Sequence, residues 1–575
     1  MTIRPLWLLL LVAGGGALAQ PHDSGRSGPS ETLLRALRDE MRRTVSRLQL
    51  GDLPAPYFVA YTVLETQRLS LEGEFGGLEE PRRGAMRQLQ VELRAGSRQF
   101  DDSLFVDVQG GGMRPSTTPL PFEDDYDALR NEIWELTDQA YKAAVERLAR
   151  KTVYRDSNNI RDAPPDLSED PVQSSMETLP AGSVDAAFWE RSVRDISGVF
   201  RRFPAVRTSG VGLNWREQHL YFVDSEGRSY VKPAHWFELT LRASAQAEDG
   251  RTQSDERQLL WQSPAHVPDI AELRAEAERL ATEVTALAGA KRIETYLGPL
   301  LLEGQAAGEL LSQLLANGLA NPREIWAEQR WSEQSYKRGA LTTRLGLRVI
   351  SPLFDVIDDP TVAEFGGRPL TGHYRVDEQG IPARRVHLVE RGILRDLLMS
   401  RSPAKQRAGS NGHGRGGFSA PAAAVIGNLF VEPSQSLSLD EMKARLREEA
   451  RAFGLKRAIL IRRVALERER EQEELLSAPV LVYEVDVDTG EETLVRDARF
   501  NAITLRALRD IVAASDERYV YNIAKPGPWR GSATLSSSIV HPSLLLSELE
   551  LVPADDKPSK PPYLPHPFFA GAAGH

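Results

Sequence analysis

The 575-residue chain contains no cysteine, so thiol nucleophiles, disulfides, Cys-ligated zinc and iron–sulfur clusters are all closed to it. Its chemistry has to come from imidazole, carboxylate and backbone groups. Four histidines of the C-terminal half, His373, His387, His413 and His541, could bind a metal or act as general bases. Their spacing matches no ligand motif, and unrelated surface or core histidines account for them. Asp358-Asp359 and Glu390 could supply paired carboxylates for acid–base work, but adjacent carboxylates before Pro360 also cap a turn; both readings stay open. Gly412-His413-Gly414-Arg415-Gly416-Gly417 fits G-x-G-x-x-G, yet a dinucleotide cradle needs a strand before it and a helix after it. Here Pro421 follows and no strand pattern precedes, so the stretch reads as a mobile glycine-rich loop. Asp486, Asp488 and Gly490 lack the third acidic ligand and the closing glutamate of an EF-hand, which leaves a hairpin turn. No G-x-S-x-G elbow, Walker A loop or H-E-x-x-H pair occurs.

These residues need a scaffold, and the composition provides for one. With 41% hydrophobic and 26% charged residues the chain can bury a core without disulfides or a structural metal. A net charge of −10 without a Lys/Arg-rich run argues against a nucleic-acid surface. Residues 1–19 read as a cleavable signal peptide: Arg4, an apolar run over 6–13 too short to span a bilayer, then Ala17 and Ala19 before a cut at Gln20. The mature chain is therefore expected in the periplasm or outside the cell, without an integral membrane span. Leu33, Leu34, Leu37, Met41, Val45 and Leu48 predict an opening amphipathic helix. YFVAYTVLET, RQLQVELRAGSRQF and SLFVDVQG predict strands of one antiparallel sheet. A second helix is expected over about 124–151 and an exposed polar connection over about 155–185. Ser225-Glu226-Gly227 and Glu248-Asp249-Gly250 mark hairpin turns, a charged helix follows over 270–290, and further helices fall near 303–319 and 439–453. The expected fold is α+β: an N-terminal helix-plus-antiparallel-sheet domain over 20–291, a β-rich domain over 292–554, and a Pro-rich tail over 555–575.

The ordered pieces GPLLLEGQAAGELLSQLLANGLA, SPLFDVIDDPT, VDEQGIPARRVHLVERGILRDLLMSR, IGNLFVEPS and VHPSLLLSELEL, preceded by the Ser225-Glu226-Gly227 hairpin, make the chain resemble the TldD/PmbA family of metallopeptidase-related proteins. In the active branch a helix carries His-Glu-x-x-x-His and a later cysteine completes a zinc site, with the glutamate as general base. Counted without gaps from Gly298-Pro299, that hexapeptide falls on Ser312-Gln313-Leu314-Leu315-Ala316-Asn317. Both histidines and the glutamate are missing, and residues 525–538 offer no substitute for the cysteine. On an α-helical period, Ala307, Leu310, Leu311, Leu314 and Leu315 form an apolar stripe, with Ser312, Gln313 and Asn317 on a polar back. That back reads either as the solvent side of a surface helix or as a former metal pocket that now lines a peptide groove. The resemblance implies a metal-free protein that holds unfolded or extended peptides and assembles as a homo-oligomer or as a heterodimer with a metal-bearing TldD-like relative. Zinc is expected only in that relative. The alternative is an active peptidase whose catalytic groups have moved, for instance to His373, His387 or His541.

Overall fold

The computed structural model describes residues 30–107, 115–177, 184–320, 323–329, 339–405, 407–418, 420–467, 476–501, 503–527, 534–555, 557–562, 564 and 566–569. The expected signal peptide lies outside them. The first helix, α1 (Glu31–Arg47), begins where the Ser30 hydroxyl accepts the Leu33 N–H, and buries Leu33, Leu34, Leu37 and Met41 as its period demands. Three long antiparallel strands follow among shorter pieces: β1 (Pro56–Glu74), β2 (Arg82–Ala95) and, after helices α2 (Tyr126–Ser157) and α3 (Ala186–Gly198), β3 (Val206–Asp224). Then come β4 (Ser229–Gln246), β5 (Thr252–Trp261) and α4 (Ile270–Gly289), with the two hairpin turns where the sequence places them. The long strands lie in the order β2-β1-β3-β4-β5 within an eight-stranded sheet.

Because side chains alternate along a strand, Val59, Tyr61, Val63, Leu69 and Leu71 of β1 all point to one face. Helices α1 and α2 cover one end of that face, and α3 and α4 cover the other. The opposite face turns towards the C-terminal half, where Phe58, Phe222 and Tyr230 pack on Val376.

Two sequence expectations fail here for identifiable reasons. SLFVDVQG does not join the large sheet; Phe105 and Val106 pair in parallel with Trp326 and Ala327 instead, because Leu104 and Val106 find apolar cover from Ile325, Ala327, Ala420 and Ala423. The connection over 155–185 is not simply exposed. Helix α2 runs on to Ser157, and Asp166 is buried, with its carboxylate held by Lys151 at 2.7 Å and Arg323 at 2.6 Å. The tail also folds back: the Ser559 N–H donates to the Gly250 carbonyl at 3.0 Å, and His566 and Phe568 pack on Phe75.

In the C-terminal half, β6 (Tyr296–Leu302) leads into helix α5 (Gly304–Leu310). Strands β7 (Phe354–Asp358), β8 (Val386–Glu390) and β9 (Asn428–Pro433) precede helix α6 (Leu439–Ala452), which opens with a Ser438/Glu441 capping box. The longer strands that follow are β10 (Arg457–Val464), β11 (Pro479–Asp486), β12 (Glu492–Arg496), β13 (Tyr519–Pro526), β14 (Thr534–His541) and β15 (Leu544–Pro553). One sheet carries the run β12-β11-β10-β6-β15 and the other the run β8-β7-β9-β14-β13. The segment that begins at α5 is buried in the core the two sheets share, against Leu300, Ile459 and Leu546 from one and Phe354, Val431 and Ile539 from the other. The fold is mixed α+β, as the sequence implies.

Candidate functional site

The α5 segment is not one α-helix. Residues Leu311–Ala316 are π-helical, and the Asn317 N–H bonds to the Ser312 carbonyl five residues back before Asn317–Leu319 resume the α form. In an α-helix, residues five apart lie about 140° apart around the axis. The wider π turn brings Ser312 and Asn317 towards the same side. Burial departs from the surface-helix reading: Ser312 is 0% and Gln313 4% exposed, and of the three only Asn317 reaches solvent.

Lys525 on β13 closes over this turn. Its ammonium lies 3.3 Å from Asn317 Oδ1 and 3.4 Å from the Ser312 carbonyl, and pairs with Glu467 Oε2 at 2.7 Å. Asn317 Nδ2 donates to Glu467 Oε1 at 2.7 Å, which completes a ring of polar contacts. The Lys525 and Glu467 side chains are 22% and 24% exposed, so the ring faces outward. Beneath it, Gln313 Nε2 donates to Glu309 Oε2 at 2.7 Å, and Gln313 Oε1 accepts the Ser477 N–H and hydroxyl at 3.0 and 3.2 Å. The Tyr521 hydroxyl donates to the other Glu309 oxygen, and burial pushes the Glu309 carboxyl above its usual range. Ser312 Oγ and His541 Nε2 are buried without hydrogen-bond partners.

This donor set does not fit zinc. Ser312, Gln313 and Asn317 offer neutral, weak ligands, and an ammonium within 3.4 Å of two of these residues repels a divalent cation. Gln313 cannot take a proton from water as a carboxylate would. Among the described residues no three His, Asp or Glu side chains gather as a metal-binding group.

The other candidates lie apart. His387 is exposed on β8, and His373 Nδ1 bonds the Pro360 carbonyl at 2.9 Å. His541 abuts α5, where a Cβ on Gly308 would come 2.9 Å from its Nε2. His413 is no scattered histidine: its Nε2 lies 3.0 Å from Asp358 Oδ1, and both side chains are 0% exposed. The two aspartates thus divide the two readings, since Asp359 caps the turn by accepting the Thr361 N–H at 3.1 Å while Asp358 pairs with His413. Glu390 is exposed and pairs with Arg395. The glycine-rich stretch is not a mobile loop; residues 412–416 are buried, and Asp377 accepts the Gly414 N–H at 2.8 Å. Asp486 accepts the Asp488 and Thr489 N–H groups, which makes the hairpin turn.

Sequence reasoning missed Lys525, Glu467, Glu309 and Tyr521. Glu309, one turn before Gln313 in an apolar run, was a readable signal. Lys525 was not, because 208 residues separate it from Asn317.

Comparison with known proteins agrees with this architecture. A family profile described as PmbA/TldA metallopeptidase C-terminal domain matches residues 295–552. A metalloprotease of Archaeoglobus fulgidus is 32% identical over 115 residues, which is 20% of this chain and 25% of the relative. One of Methanothermobacter thermautotrophicus is 33% identical over 103 residues, 18% of this chain and 21% of the relative. The chain therefore matches about a quarter of the length of these curated relatives. The fold is shared with a Thermotoga maritima protein described as a candidate modulator of a DNA gyrase (TM-score 0.59, 14% identity, 90% of this chain and 100% of that one). It is shared also with TldE of Thermococcus kodakarensis (TM-score 0.54, 12% identity, 90% of this chain and 100% of that one). Residues 295–552 of the chain are thus a C-terminal domain of the TldD/PmbA family.

Proposed function

We propose that the chain is a catalytically degenerate member of its family that is exported after cleavage before Gln20 and holds extended peptides. It acts as a homo-oligomer, or as the non-catalytic subunit beside a metal-bearing relative. The observation that carries the reading is the Lys525 ammonium, held by Asn317, the Ser312 carbonyl and Glu467 on the turn where the family resemblance would put a zinc ion. Zinc hydrolysis needs a metal with an open position for water and a base beside it. In this turn a fixed side-chain cation takes the place of the metal, and an amide takes the place of the base. Asn317 and the ring around it remain open to solvent, as a surface that meets a peptide requires.

The reading is tested by incubating the chain from Gln20 onward with peptides from an unfolded, partly digested protein, with and without equimolar zinc. Peptides are expected to co-elute with the protein in gel filtration, and mass spectrometry is expected to find no new termini in either arm. Zinc-stimulated cleavage would overturn the non-catalytic assignment, and free elution of every peptide would overturn the peptide-holding one.

A further inference from the structure

The sheet face that turns away from the helices carries an unusual row. Arg68 on β1 stands directly opposite Arg216 on β3, which in turn stands opposite Trp236 on β4. A carboxylate normally stands beside a guanidinium on a sheet face, yet among the described residues neither Arg68 nor Arg216 has a hydrogen-bond or ion-pair partner. Glu238, the acid nearest Arg216 in charge terms, accepts from Gln258 Nε2 at 2.5 Å. Arg216 is half-buried, its guanidinium carbon 5.4 Å from the centre of the Trp236 ring, and burial pushes its pKa down. Arg68 lies flat over Gly84 on the other side, where a Cβ would come 2.9 Å from its Nε.

The second observation is independent of charge. Trp236 is 7% exposed, and its Nε1–H is buried with no acceptor. A buried donor is ordinarily paired, so this N–H calls for an acceptor beside the Arg216 guanidinium. Four residues back on the same face, Lys232 adds a further cation about 13 Å away, seated over Tyr374. This face borders the candidate site. Gln262, just past β5, donates to Ser536 Oγ and to the Thr371 carbonyl, and Ser536 pairs across the strands with Ala524, next to Lys525.

We propose that Arg216 and the Trp236 indole N–H, with Arg68 at their edge, form a receptor for a carboxylate of the bound peptide. A guanidinium fork matches a planar carboxylate through two parallel N–H···O bonds, an indole behind it supports the cation, and the free indole N–H supplies a third donor. The receptor rests on the peptide-holding reading for its ligand. The carboxylate has two sources, an Asp or Glu side chain or the peptide C-terminus.

Three labelled peptides of one core sequence separate these sources: a Glu-containing, C-terminally amidated peptide, a neutral peptide with a free C-terminus, and a neutral amidated peptide. Fluorescence anisotropy on the chain from Gln20 onward is expected to show at least one carboxylate peptide bound about tenfold more tightly than the neutral amide. The preference should collapse in high salt. Arg216→Met should remove the preference while leaving neutral-peptide binding and the melting temperature near wild type. If that variant misfolds, Arg216→Lys keeps the charge but loses the fork, and should weaken the preference. Equal affinity for all three peptides would overturn the receptor and leave peptide holding intact. Should no peptide bind, titration with acetate decides. A saturable change in tryptophan fluorescence, absent in Trp236→Phe and Arg216→Met, upholds the anion receptor and rejects its peptide ligand. No change rejects both.

Discussion

Arg401→Met is expected to lower the unfolding free energy by about 3–5 kcal/mol, the usual cost of removing one partner from a buried charge group. Arg401 is 1% exposed, and its guanidinium reaches Glu226 at 2.8 Å, Asp170 at 3.4 Å and the Ser168 carbonyl at 2.8 Å. Arg228, also 1% exposed, pairs with Asp224 at 3.0 Å and with Glu226, and Arg98 pairs with Glu226 as well. The group balances three cations, Arg98, Arg228 and Arg401, against three carboxylates, Asp170, Asp224 and Glu226. Taking out Arg401 leaves a net negative charge in a largely buried group, with Asp224 0%, Asp170 6% and Glu226 14% exposed. Burial alone would raise the Glu226 pKa, but Arg401 and the hydrogen bonds from Arg228 and Arg98 hold it below its usual range. The cluster pins the Ser225-Glu226-Gly227 hairpin of the N-terminal half to the chain around residue 401, so its loss should loosen that junction. Urea unfolding measures the change. Arg395→Ala, which breaks an exposed pair with Glu390, serves as control and should shift stability by no more than about 1 kcal/mol. Equal effects of the two substitutions would show that the buried cluster does not stabilise the fold.

The second large effect depends on pH. His541 is 0% exposed; its Nδ1–H donates to the Pro542 carbonyl at 3.0 Å, and its Nε2 faces Gly308 with no donor to accept from. Burial, with a smaller push from the Arg518 charge, brings the imidazole down from 6.5 to about 4. The folded chain thus holds this ring neutral where the unfolded chain protonates it. Stability from His541 is fully present above pH 6.5 and is lost progressively as pH falls from 6.5 to about 4. A shift of this size corresponds to about 3 kcal/mol across that window. Thermal unfolding of wild type and His541→Gln between pH 7 and pH 4 is expected to show the wild type losing stability faster. Parallel curves would mean that the ring titrates normally in the folded protein.

Local patterns carried well from sequence to structure, and long-range ones did not. Turn chemistry located the hairpins at Ser225-Glu226-Gly227, at Glu248-Asp249-Gly250 and after Asp486 because each is decided by a few adjacent residues. Apolar periodicity located α1, α4, α6 and the segment over 303–319 for the same reason. Periodicity misleads inside that last segment, because Leu311–Ala316 form a π turn and Ser312 and Gln313 are buried, which rules out the solvent-side reading of the polar back for these two residues. Tertiary structure alone pairs His413 with Asp358 across 55 residues, or Lys525 with Asn317 across 208. The glycine-rich stretch misled in the opposite direction. Its composition suggests motion, but Asp377, Glu378 and Asn411 take up its polar groups, and the chain packs it inside.

The central claim is that the turn at Ser312, Gln313 and Asn317 holds a side-chain ammonium where zinc would otherwise sit. Metal content tests it most directly: the chain from Gln20 onward is equilibrated with equimolar zinc, dialysed, and its tightly bound ions are counted per protomer. The account predicts close to none. About one zinc per chain, retained through dialysis as a three-ligand protein site would retain it, would contradict the account and return the search for ligands to the histidines of the C-terminal half.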